Sequence, residues 1–160
     1  MIDPTWLQIA RKYVGLKEIP GEKHNPHILR WWKLNELKYT NDEQAWCANF
    51  VGGCLEESGI HSTHSPKARS FLNHGKKLDR PAYGAVVVFW REKIDGPLGH
   101  VGFVVGKTTK GDILVLGGNQ GNAVSIVAFD PKRVLGYRWP IGLTPLNARY
   151  NLPILSYKGP

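Results

Sequence analysis

The hydrophobic period of the chain changes near its midpoint. Up to about Pro81 apolar residues recur at helical spacing, and beyond it they alternate or run together as strands do. Trp6, Ile9, Ala10, Tyr13 and Val14 fall at i, i+3, i+4, i+7 and i+8 and make one apolar stripe. This predicts a helix over 4–14, with Asp3 as N-cap, Pro4 in the first turn and Gly15 as the stop. A second helix is predicted to start at Asn25-Pro26 and to run through Ile28, Leu29, Trp31 and Trp32. A third covers 45–58 before Gly59, and a fourth covers 66–74 between a Ser65 cap and Gly75. Strands are predicted over 84–90, 100–106, 112–116, 123–129 and 134–139, rich in Val, Ile and aromatics and separated by Gly, Asp, Asn and Pro. Most of the gaps are too short for crossover helices, so the strands are expected to form an antiparallel meander or partial barrel. The predicted fold class is α+β: N-terminal helices packed on a C-terminal antiparallel sheet or partial barrel of about five strands. The tail, 141–160, carries prolines and no acidic residue and reads as an irregular segment wrapping the surface.

Length and composition bound this picture. The 160 residues suit one domain, 1–160, with a core over about 5–140. A charged fraction of 21% beside 42% apolar residues excludes a disordered chain, and two cysteines exclude a disulfide scaffold. The longest apolar run, 85–90, is far short of the roughly 20 residues that span a bilayer. The N-terminus shows neither the basic nor the apolar region of a signal peptide, so synthesis in the cytoplasm without a leader is expected. The net charge of +8 suggests a polyanionic partner. A basic nucleic-acid-binding domain is one reading. No run of Lys or Arg exceeds two residues and no nucleic-acid motif is present, which speaks against it.

Chemistry centres on the cysteines and histidines. Cys47 and Cys54 share a helix face but lie about 10 Å apart along its axis, beyond the roughly 7 Å of disulfide Cα pairs, so two free thiols are expected. Cys54 follows Phe50 and Val51 on the buried stripe and reads as a small core residue. Cys47 opens its helix, where free N–H groups and the positive dipole end favour thiolate; a core role remains open from position alone. A thiol nucleophile needs a base. Of the six histidines, His24 and His27 flank a helix start, His61 and His64 lie in a loop and His74 ends a helix. His100 differs, opening the apolar strand Val101-Gly102-Phe103-Val104-Val105. The following strand ends in Gly117-Gly118-Asn119-Gln120-Gly121, which could set Asn119 beside His100 or simply form a Gly-Asn turn. His61-x-x-His64 has zinc-like spacing, but no cysteine or acid lies nearby at ligand spacing, and no Asp-rich calcium loop is present. No metal and no cofactor is expected.

Trp46-Cys47-Ala48-x-Phe50-Val51, Gly99-His100-Val101-Gly102 and Gly117-Gly118-Asn119-Gln120 resemble the CHAP and NlpC/P60 superfamily of papain-like cysteine peptidases and amidases. A phage-associated branch is similar also in Trp6-Leu7-x-Ile9-Ala10, in Glu18-Ile19-Pro20-Gly21 with His24-Asn25-Pro26, and in Gly136-Tyr137-Arg138-Trp139-Pro140. The three catalytic motifs occur in order and on the predicted elements.

The resemblance implies a papain-like fold and hydrolysis of amide bonds in bacterial peptidoglycan. Matched residue by residue, Cys47 is the nucleophile, His100 the general base and Asn119 the polar third residue. The chemistry of that mechanism calls for an oxyanion site at the Cys47 N–H with Gln44 as the candidate second donor, and Trp46, Trp90 and Trp139 either pack in the core or wall a sugar-stacking groove. The implied setting is a phage endolysin or an injected antibacterial toxin, the latter with a cognate immunity protein. It acts as a monomer in the periplasm or wall after release. The +8 charge then reads as affinity for an anionic envelope. A thiol acyltransferase of the same fold is the competing enzyme reading.

Overall fold

The computed structural model describes residues 1–19, 24–39 and 45–159. Helices α1 (Thr5–Lys12), α2 (Pro26–Leu34) and α3 (Cys47–Glu57) precede a sheet of six antiparallel strands. The strands are β1 (Lys76–Leu78), β2 (Val86–Trp90), β3 (Gly99–Lys107), β4 (Ile113–Gly117), β5 (Ser125–Phe129) and β6 (Val134–Trp139). Their order is β1-β6-β2-β3-β4-β5, open rather than closed into a barrel. The predicted α+β class holds, and all five predicted strands are present.

The sixth strand is the short Lys76-Lys77-Leu78, paired with Tyr137, Arg138 and Trp139 of β6. Its two lysines are exposed and only Leu78 is buried, so no apolar period announces it. Lysines on an edge strand also block unwanted pairing. The fourth predicted helix is a 3-10 segment, Ala68–Asn73. Asp3 does not cap α1. Its carboxylate instead binds Arg11 at 2.6 Å and accepts from the Tyr83 hydroxyl, leaving Pro4 as the cap residue. Asn25 caps α2 as predicted, accepting from the His27 N–H at 2.9 Å. The tail bridges back to the sheet, with Ile154 beside Lys107 at the end of β3.

Helix α3 is buried from Cys47 through Leu55, enclosed by α1, α2 and the sheet. Such a helix is apolar on nearly every side, and its buried polar residue, Asn49, is satisfied by donating to the Ile28 carbonyl at 3.1 Å and accepting from Asn35 at 2.9 Å. Gly52 and Gly53 allow α2 to pack against it, since a Cβ at Gly53 would come within 2.4 Å of the Trp31 ring. At its far end Glu57 gathers the three helices, accepting from Tyr13 at 2.8 Å, Arg30 at 3.0 Å and Trp31 at 3.2 Å. Along its length α3 packs against β3.

Alternation along the strands splits the apolar residues between two faces. Val86, Val88, Val101, Phe103 and Val105 join the helices in the main core. Val87, Phe89, Val104, Ile113 and Val115 form a smaller cluster on the other face, roofed by Phe129, Val134 and Tyr137.

Candidate active site

Cys47 is the first residue of α3, and Trp46 caps the helix with no side-chain hydrogen bond. The N–H groups of Cys47 and Ala48 therefore point at the thiol and act to stabilise its anion, as does the backbone N–H of Val101. Val101 directly follows His100, so the thiol lies at the mouth of β3. Burial nevertheless outweighs these donors. Cys47 is 7% exposed and its pKa is pushed above the ordinary thiol value, with the Arg91 charge opposing the rise. The thiolate expected from the helix terminus alone is thus overturned by desolvation.

His100 pairs with Phe89 across the β2–β3 ladder and stacks on Phe129 with ring centroids 5.1 Å apart. It is 1% exposed, and burial pushes its pKa down to about 4; the Gln120 contact opposes this and Arg91 adds to it. Thiol and imidazole are both neutral at pH 7. The resting thiol accepts a hydrogen bond from the Val101 N–H. Catalytic hydrogen bonds in ligand-free sites are often long and tighten when substrate enters.

The imidazole tautomer is fixed by its partner. His100 Nε2 lies 2.9 Å from Gln120 Oε1. Gln120 Nε2 in turn donates to the carbonyls of Ser125 at 2.7 Å and Val115 at 3.2 Å. Carbonyls only accept, so that end of the amide must be the NH2 group and the end facing His100 must be oxygen. His100 Nε2 therefore carries the proton, and Nδ1 is left free to accept one.

Asn119 was the side chain expected beside His100, but the group that accepts from His100 Nε2 is Gln120, one residue further along. Asn119 takes the left-handed turn position at φ 56° and lines the neighbouring cleft. Two glycines make the reach possible. A Cβ at Gly117 would lie 2.5 Å from Gln120 Oε1, and one at Gly118 would lie 2.6 Å from Phe50 Cβ and 2.7 Å from the Trp46 ring.

A cleft of about 320 Å³ opens beside this pair, lined by Arg91, Asn119, Gln120, Gly121, Val127 and Phe129. The three tryptophans assigned to a groove lie elsewhere. Trp46 is fully buried, its Nε1 donating to Glu18 at 2.6 Å. Trp139 packs edge-on against Trp6 in the core. Trp90 is covered by the Arg133 guanidinium, 4.8 Å from its ring centre. Gln44 lies outside the described residues. Arg91 and Gln120 are functional candidates that the sequence reading passes over, one beside and one within a signalled segment. Arg91 follows the β2 run, and Gln120 ends the Gly-Gly-Asn-Gln sequence.

The model of the CHAP domain matches residues 38–119, just over half of the chain. The chain belongs to the CHAP domain family. The matched segment of this CHAP domain runs through α3 and β1 to β4, and so includes both Cys47 and His100. It ends at Asn119, one residue before the side chain that binds His100. No curated protein matches the chain. CHAP domains are typically cysteine peptidases or amidases linked to peptidoglycan. Among the described residues no helix is long and apolar enough to cross a membrane.

Proposed function

We propose that this CHAP domain is a cysteine peptidase or amidase that hydrolyses an amide bond of bacterial peptidoglycan. Cys47 is the nucleophile, His100 the general base, and Gln120 the residue that holds the imidazole. The carrying observation is the hydrogen-bond chain from Ser125 and Val115 through Gln120 to His100 Nε2, beside a thiol at a helix N-terminus. This is the orientation logic of a Cys-His nucleophilic site, with an amide as the third group.

Substrate binding brings the scissile carbonyl to the Cys47 sulfur. His100 Nδ1 takes the thiol proton as the C–S bond forms, so the ion pair exists only as charge develops on the substrate. The Cys47 N–H at the open end of α3 meets the oxyanion, with the helix dipole adding to it. His100 then delivers its proton to the leaving amine. Water, deprotonated by the same nitrogen, hydrolyses the thioester and restores the thiol.

The setting we propose is that of a phage endolysin or an injected toxin, working as a single catalytic domain in the wall or periplasm. The charge of +8 concentrates it on an anionic envelope. The test is release of new amines from purified peptidoglycan, with mass spectrometry identifying the bond. Cys47→Ala and His100→Ala should each lower the rate about a thousandfold or more. Full activity in either variant refutes the mechanism.

A further inference from the structure

At the end of α3 opposite Cys47, the fold assembles a group that the mechanism does not use. Glu56, in the last turn of α3, meets His61 and His64 from the following loop. Glu56 Oε2 lies 3.0 Å from His64 Nε2, and Glu56 Oε1 lies 3.8 Å from His61 Nδ1. One ligand atom from each of the three residues falls within 4.8 Å of the others. We propose that Glu56, His61 and His64 form a binding site for a divalent transition metal, with Zn2+ as its fitting occupant.

The spacing is that of ligands around one ion. Bonds of about 2.0–2.2 Å in a tetrahedron place ligand atoms about 3.3–3.6 Å from one another. The carboxylate–imidazole separations of 3.0 and 3.8 Å, one to each oxygen of Glu56, lie on either side of this value, and with all three ligand atoms within 4.8 Å of one another, side-chain rotation about the exposed His61 draws the site together. Two imidazoles and a carboxylate suit Zn2+, whereas Ca2+ and Mg2+ require oxygen ligands. The fourth position is open to water, because the His61 side chain is 92% exposed.

A second observation points the same way. The other nitrogen of His64, Nδ1, lies 2.8 Å from Glu36 Oε2. A carboxylate on the far nitrogen of a histidine is the usual support of a metal ligand, fixing its tautomer and turning the bonding nitrogen inward. Glu36 and His64 both hold left-handed backbone, at φ 59° and 52°. The loop that carries the histidines is pinned in place. The Ser62 N–H donates to Glu56 at 2.6 Å and the Ser62 hydroxyl donates to Asn35 at 2.7 Å, while His74 contacts the His61 carbonyl at 2.7 Å. A metal here clips the end of α3 to this loop, and through Glu36 to the segment after α2. The site is independent of the peptidoglycan reading.

The test uses the full chain carrying Cys47→Ala, so that the buried active-site thiol contributes no binding. Calorimetric titration with Zn2+ should show one ion per chain. At a free Zn2+ concentration 100-fold above the dissociation constant, Tm should rise by about 5–10 °C. Co2+ in place of Zn2+ should give the visible absorption of a tetrahedral site. Adding His64→Gln should abolish binding, and Glu36→Gln should weaken it about tenfold or more. His61→Gln alters only an exposed side chain and keeps the test valid if the other variants fold poorly; it too should remove the Tm rise. No binding, or binding that His61→Gln and His64→Gln both leave unchanged, overturns the proposal.

Discussion

Burial of His100 ties the stability of the domain to pH. Its pKa is about 4 in the folded chain against the ordinary 6.5, chiefly through desolvation. Above pH 6.5 neither the folded nor the unfolded chain protonates this ring. As pH falls from 6.5 toward 4 the unfolded chain takes up the proton and the folded chain does not. Stability is therefore full above pH 6.5 and is lost progressively down to pH 4. Two and a half pKa units correspond to about 3 kcal/mol, of which about 2 kcal/mol is already lost at pH 5. Acidic side chains add their own pH dependence, so the informative quantity is a difference between proteins. His100→Gln keeps a polar side chain of similar size without a titrating ring. Urea unfolding followed by tryptophan fluorescence, repeated between pH 7 and 4, should show the wild-type advantage over His100→Gln shrinking by about 3 kcal/mol. Parallel melting curves should converge by about 10 °C. A constant difference between the two proteins across this range would refute the assignment of a buried, neutral imidazole. The same argument places the acid limb of kcat/KM near pH 4 rather than near 6.5.

Gln120→Leu removes the acceptor that fixes the His100 tautomer, and should lower kcat about ten- to a hundredfold with little change in KM; an equal rise in KM alone would make Gln120 a substrate contact instead. Gly118→Ala places a methyl group against Phe50 and the Trp46 ring. It should cost about 1–3 kcal/mol in thermal or urea unfolding, and a neutral result would mean that the 117–121 loop can lift off α3. Raising ionic strength should weaken lysis of intact cells more than cleavage of a soluble wall fragment, and equal sensitivity would remove the +8 charge from the functional account.

What the sequence made legible follows from how each feature is encoded. Elements whose faces are decided by burial have a period, and α1, α2, α3 and β2 through β6 were all visible through it. Strand β1 has none, because Lys76 and Lys77 are exposed and its pairing with β6 spans some sixty residues. The candidate site is encoded in the same way. Cys47 and His100 sit at element starts, where a polar or reactive residue breaks an apolar pattern. The third group depended on the turn. With Asn119 at positive φ the chain reverses, and Gln120 rather than Asn119 comes under the imidazole. The tryptophans were ambiguous for a different reason: an indole suits a core and a sugar platform equally, and only tertiary packing decides between them. Glu56 was invisible as a partner of His61 and His64 because its contribution depends on where α3 stops and how the loop turns back.

The electrostatics of the site give it a particular resting state. Desolvation raises the Cys47 thiol and lowers the His100 imidazole, so both groups favour neutrality. Arg91 acts on both in opposite senses, favouring thiolate while disfavouring imidazolium. A preformed ion pair is therefore costly, and proton transfer must be coupled to attack on a bound carbonyl, where the oxyanion compensates the new imidazolium. A small thiol reagent offers no such carbonyl. Iodoacetamide should then alkylate Cys47 slowly at pH 7, with a rate that rises above pH 9 as the thiol ionises. Arg91→Gln should move that rise to still higher pH, because the cation that favours thiolate is gone. Rapid alkylation at neutral pH would instead reveal a standing thiolate–imidazolium pair and a mechanism that starts from it.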